Sequence, residues 1–142
     1  LNEELLSRVP AIHAYRMEAE RPKAAEEYEA IVRNGVPTGP DGIPRFDFML
    51  LGMGADGHTA SLFPGTKALE ERTRLVVLND VPQLNSQRVT MTYPLIEAAA
   101  QRWFLVKGAD KTAAFTRVKR GELPAGKLRA ARWYVDFATS SS

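Results

Sequence analysis

The stretch LGMGADGHTASLFPG, residues 51–65, directly follows the apolar run FDFMLL and decides how the chain is read. The run has the length and apolar continuity of a buried strand. Gly52, Gly54 and Gly57 let the backbone that follows bend sharply and approach a ligand closely. In open α/β sheets, ligands lie at the carboxyl ends of the strands. The spacing therefore predicts a strand-to-helix turn, with the small residues after His58 opening a helix and Thr59 or Ser61 capping it. Amides of the glycine turn and of that helix start would face an anion or a developing oxyanion. His58 would project into the same pocket. Asp56 would accept from one ring nitrogen and leave the other as a base.

Two better-known phosphate motifs do not fit. GMGADG matches G-x-G-x-x-G, but the acidic residue that should follow is poorly met by Asp80. No Gly-Lys-Ser/Thr follows, so the stretch is not a P-loop. Spacing alone leaves three readings open: a well hydrogen-bonded connection, a catalytic turn, or a metal site. Two histidines and no cysteine weigh against the metal.

Working outward, the Pro/Gly-rich VPTGPDGIPR at 36–45 is a loop. Before it, RPKAAEEYEAIVRNG reads as a helix with an apolar stripe of Ala24, Ala25, Tyr28, Ile31 and Val32, stopped by Gly35. LNEELLSRV has helical spacing, and AIHAY is a short strand candidate. After the turn, LVVLN and RVTMTY read as strands and PLIEAAAQ as a helix begun by Pro94. WFLVKG is a further strand, and ADKTAAFTRVKRG is a helix closed by Gly121. ELPAGKL is a loop, ARWYVDFA a strand or short helix, and the serine tail at 138–142 is expected to fray. The alternation argues for one α/β domain over 1–137, layered around a mostly parallel sheet flanked by helices.

The composition is that of a globular chain: 44% apolar and 25% charged. No apolar run approaches membrane-spanning length, and no secretion leader is recognised. Absence of cysteine suits a reducing, cytoplasmic setting. The net charge of +2 is unevenly spread, because residues 101–142 hold nine of the nineteen basic and three of the seventeen acidic side chains. That basic third lacks interleaved aromatics on an evident strand platform, so no nucleic-acid partner is expected. Lys119, Arg120, Lys127 and Arg129 read as solvated charge, and His13 as structural.

FDFMLLGMGADGHTASLFPGT closely resembles the signature of 6-phosphogluconolactonases. AERPKAAEEYEAIV is similar to that family's helix before the signature. NSQRVTMTYPLIEAAAQRWFLVKGADK resembles its strand–helix and Gly-x-x-Lys segments, and WYVDFA its W-x-x-D ending. The neighbouring glucosamine-6-phosphate deaminases share G-A-D-G-H but carry a glutamate further on. Here Phe63 stands at that place, and a phenyl ring cannot shuttle protons.

The resemblance implies a Rossmann-like fold of the NagB/RpiA type and hydrolysis of 6-phospho-glucono-1,5-lactone to 6-phosphogluconate without a cofactor. His58 would be the general base, Asp56 its orienting partner, and the turn around Gly52, Gly54 and Gly57 the oxyanion donor. Arg88 and Lys111 would hold the phosphate. Members of this family are longer, so the expectation is a C-terminal part lacking the first βα units and their phosphate loop. A missing N-terminal segment or a second copy of the chain would then complete it.

Overall fold

A computed structural model of the chain describes residues 23–138 together with Arg8, Tyr15 and Met17. The expected helix at 1–9 and strand at 11–15 lie outside the described residues, apart from Arg8 and Tyr15, as do His13 and the serines of the tail. Among the described residues, three α-helices and five strands follow in order: α1 (Ala24–Gly35), β1 (Met49–Leu51), β2 (Val76–Val81), β3 (Ser86–Met91), α2 (Tyr93–Ala98), β4 (Arg102–Val106), α3 (Thr112–Lys119) and β5 (Arg132–Val135).

Strands β1, β4 and β5 form a parallel sheet in the order β1-β4-β5, with Leu51 beside Phe104 and Phe104 beside Trp133. The C-terminal segment is therefore a strand and not a short helix. β2 and β3 form a separate antiparallel pair, outside the mostly parallel sheet that the alternation predicts. The sequence PQLN explains the exception. A 3-10 turn at Pro82–Leu84 is followed by Asn85 in the left-handed region, and the two strands close as a hairpin. The strand expected over 46–53 shrinks to three residues.

One face of the parallel sheet is buried. Met49, Leu51, Phe104 and Val106 join Tyr93 and Ile96 of α2 and Phe115 and Val118 of α3 in one core. Phe104 stacks on Trp133 with centroids 3.9 Å apart. The other face carries Leu50, 59% exposed, and Leu105, 61% exposed, with Phe48, Trp103 and Tyr134 in edge or tilted ring contacts 5.1 Å apart. Parallel sheets are ordinarily covered on both faces, so the exposure of Leu50 and Leu105 and the edge of β1, unpaired among the described residues, are unusual for the class.

Helix α1 packs on the hairpin through Val32, which joins Leu75, Val76, Val89 and Leu95 in a second core. Its Glu26 and Glu27 start the helix and Arg33 ends it, matching the helix dipole. Ile31, expected in the apolar stripe, is exposed, while Glu29 is buried at 6% exposure. Glu29 Oε2 accepts from the backbone amides of Leu75 at 3.0 Å and Val76 at 3.1 Å and from Arg74 Nε at 3.2 Å. Its Oε1 accepts from Arg33 Nε and Nη2. Burial pushes this carboxyl up, but those amides and guanidiniums outweigh it and hold the group below its ordinary value.

Candidate active site

The turn after β1 is built by its own hydrogen bonds. The Gly54 amide donates to the His58 carbonyl and the Gly57 amide to the Gly54 carbonyl, both at 3.0 Å. Gly57 sits at φ +77°, a conformation that side-chain-bearing residues rarely adopt. Its carbonyl accepts from the Ala125 amide at 3.0 Å, and Leu123 packs where its Cβ would be. Buried Thr59 donates its hydroxyl to the Gly52 carbonyl at 2.9 Å and closes the loop at its base.

One carboxylate oxygen organises the histidine. Asp56 Oδ1 accepts from the His58 backbone amide at 3.1 Å and lies 2.6 Å from His58 Nδ1. Burial pushes Asp56 up, but the bonds from the His58 amide and ring outweigh it and hold the carboxyl below its usual value. The imidazole stacks on Phe63 with centroids 4.0 Å apart and planes 22° from parallel. A Cβ at Gly54 would overlap the ring at Cε1 and Nδ1, so only glycine leaves room for it. The ring is thus fixed at one nitrogen and one face. The side chain remains 29% exposed, and Nε2 is left without an internal partner among the described residues.

The expected helix after His58 does not form. Thr59 and Leu62 make an isolated bridge around Ala60, which has φ +49°. Ser61 donates its amide to Thr90 Oγ1 at 3.1 Å, and its carbonyl accepts from Asn79 Nδ2 at 2.9 Å. Asn79 Nδ2 also donates to Thr66 Oγ1 at 3.0 Å. Buried side chains of the hairpin thus take the backbone groups a helix would have used, and Pro64-Gly65 stops any continuation. Only a 3-10 turn, Lys67–Glu70, follows. Neither Thr59 nor Ser61 caps a helix, because none begins directly after His58. The oxyanion role expected of the Gly54 and Gly57 amides is also removed, because both donate within the turn.

Lys111 lies half-buried in the 3-10 turn Ala109–Lys111, which precedes α3 beyond the carboxyl end of β4. Since β4 neighbours β1 in parallel, Lys111 and His58 share one end of the sheet. Arg88 is exposed on β3, opposite Asn79 and two positions from Thr90, on the hairpin face that meets Ser61. Among the described residues, no hydrogen bond or ion pair joins Arg88 or Lys111 to the turn. Sequence reasoning missed the braces. Thr59, Asn79 and Leu123–Ala125 hold the turn, and Tyr93 supports it by donating its hydroxyl to the Pro124 carbonyl at 2.9 Å. An asparagine in the middle of an apolar strand, VVLND, was the one available signal.

The family model for glucosamine-6-phosphate isomerases/6-phosphogluconolactonase matches residues 1–135. The chain belongs to this family. A 6-phosphogluconolactonase from Chlamydia muridarum is 47% identical over 104 residues, covering 73% of this chain and 39% of that protein. A crystal structure of devB protein superposes with a TM-score of 0.82 at 33% identity, covering 94% of this chain and 61% of the other. The 6-phosphogluconolactonase of Thermotoga maritima superposes at 0.76 with 31% identity, covering 94% and 62%. The chain thus spans about two fifths of the Chlamydia protein and about three fifths of each solved structure. Among the described residues, no helix is long and apolar enough to cross a membrane.

Proposed function

We propose that this chain carries the catalytic turn of a 6-phosphogluconolactonase, which hydrolyses 6-phospho-glucono-1,5-lactone to 6-phosphogluconate in the oxidative pentose phosphate pathway. The observation that carries the reading is the Asp56–His58 pair, 2.6 Å apart at Nδ1, with Nε2 left over at the end of a parallel sheet. A water positioned at Nε2 loses a proton to it as its oxygen attacks the lactone carbonyl carbon. The tetrahedral oxyanion then collapses, the bond from that carbon to the ring oxygen breaks, and Nε2 returns the proton to the departing oxygen. General-base assistance of this kind is worth roughly 10²–10⁴-fold. Asp56 holds the proton at Nδ1 and balances the imidazolium formed in the step.

In this reading Arg88 and Lys111 hold the substrate phosphate, Arg through a planar fork and Lys as a point charge. Oxyanion stabilisation falls to amides of the turn other than those of Gly54 and Gly57. The chemistry asks for no metal or organic cofactor, and the setting is the cytoplasm. The exposed Leu50 and Leu105 and the edge of β1, unpaired among the described residues, are where an additional N-terminal segment or a second copy of the chain completes the fold. The deaminase alternative is disfavoured by position 63, where a buried phenyl ring stacks on the histidine in place of an acid.

The test is hydrolysis of freshly made lactone by this chain and by His58→Ala, with the spontaneous rate subtracted. Turnover that disappears in the variant supports the reading. Equal background rates from both show that this length of chain is not a self-sufficient enzyme.

A further inference from the structure

A cleft of about 630 Å³ opens beside the turn and is separate from it: none of His58, Asp56, Arg88 and Lys111 lines it. Its volume is within the range of small-molecule sites. Its apolar lining is Pro64, Leu69, Tyr93, Pro94 and Pro124. The Tyr93 hydroxyl already donates to the Pro124 carbonyl at 2.9 Å. Burial pushes that phenol up to about 12, and it stays neutral.

The rim is charged and unbalanced. Arg72, Lys127 and Arg129 supply three cations, and Glu97 and Glu122 two carboxylates. Glu122 is already taken by Arg117 at 2.9 Å, with Arg120 at 3.8 Å. The Arg72 guanidinium lies 5.8 Å from the Tyr93 ring centroid, fixed by the Leu69 and Glu71 carbonyls. Lys127 and Arg129 make no ion pair among the described residues. A fourth cation, Arg102, braces the wall, donating to the Glu97 and Ala99 carbonyls at 2.6 Å and to the Arg129 carbonyl at 3.0 Å. Its Nε is buried without a partner, and no carboxylate pairs with it among the described residues. The excess positive charge beside an apolar lining favours an anion with a carbon body.

We propose that this cleft is a second ligand site, taking a small phosphoryl-bearing anion whose charged group meets Lys127 and Arg129 and whose body rests on Tyr93. Arginine and lysine together suit a phosphoryl group. The site stands apart from the lactone reading. It adjoins the supports of the histidine turn. Pro64 directly follows Phe63, which stacks on His58, and Pro124 lies between Leu123 and Ala125, which hold Gly57. An occupant therefore bears on the turn from outside the substrate position.

The experiment is calorimetric titration of the full chain with pyrophosphate, with sulfate as the control for non-specific anion binding. The same titration is run on Lys127→Ala/Arg129→Ala, on Arg129→Gln and on His58→Ala. Both rim side chains are exposed, so their removal leaves the core intact, and matching urea midpoints check this. The expected result is saturable pyrophosphate binding that sulfate does not reproduce. It weakens about tenfold or more in the double variant, a change of about 1.4 kcal/mol, and is unchanged in His58→Ala. Three results overturn the proposal: no saturable binding at about 10 mM pyrophosphate, weaker than the millimolar range of the affinity scale; binding indifferent to both rim variants; or binding lost in His58→Ala, which places the anion at the turn. Because the His58→Ala arm needs no turnover, failure of the cleft and failure of the lactonase reading are told apart.

Discussion

Asp56 offers a graded test of the histidine turn, because one oxygen accepts from both the His58 ring and the His58 amide. In Asp56→Asn the backbone amide requires the side-chain oxygen, not the NH₂, at that position. The same oxygen then still receives Nδ1–H, and the tautomer survives while the charge is lost. A hydrogen bond to a charged group contributes about 1.5–3 kcal/mol and a neutral one about 0.5–1.5. Asp56 is 44% exposed at its side chain, so solvent screening places the difference at the low end, near about 1 kcal/mol. That corresponds to roughly fivefold in rate. Asp56→Ala removes both acceptor bonds and leaves the ring held only by Phe63, a loss of about 2–3 kcal/mol, or roughly 30- to 150-fold. The assay is lactone hydrolysis corrected for the spontaneous rate, with ring ¹⁵N shifts of His58 reporting the tautomer in each variant. Equal losses in the two variants, or an altered tautomer in Asp56→Asn, would refute the shared-oxygen argument.

Phe63→Leu keeps an apolar side chain but removes the stack, so kcat should fall about tenfold with KM unchanged, equivalent to about 1.4 kcal/mol in the transition state. Phe63→Tyr should restore it, as steady-state kinetics would show. Glu29→Ala strands the buried amides of Leu75 and Val76, at about 1–3 kcal/mol each, so urea denaturation should show a loss of about 2–6 kcal/mol. Glu29 is held below its ordinary value when folded. Its contribution is therefore complete above the unfolded carboxyl pKa and disappears as pH falls through the folded one, and the Glu29→Ala difference should shrink in acid. Gly126→Ala places a Cβ against the Val118 carbonyl. It should lower the thermal midpoint and, by displacing the Leu123–Ala125 brace, the lactone turnover as well.

β1 and β4 were legible as short apolar runs, while β5 stayed open between a strand and a short helix, and the histidine turn was legible because its closely spaced glycines do not suit a regular element. The hairpin was hidden, since its turn, PQLN, carries none of the glycine-rich pairs that announce a two-residue connection. The missing helix after His58 was hidden for another reason. Local propensity favoured it, but the partners that prevent it, Asn79 and Thr90, lie 18 and 29 residues away from Ser61. Glu29 was invisible because a glutamate on an amphipathic helix normally faces water. Only the hairpin strand end beneath it gives its oxygens two amides to accept.

The bond from the Ala125 amide to the Gly57 carbonyl joins two segments far apart in the chain, one in the β1–β4 connection and one in the β4–β5 connection. A contact of such sequence separation carries the loop-closure entropy of the chain between its ends. Opening of this one contact frees the Gly57 carbonyl, and with it the turn that carries His58. Deuterium uptake at one amide, that of Ala125, reads how often the turn is assembled.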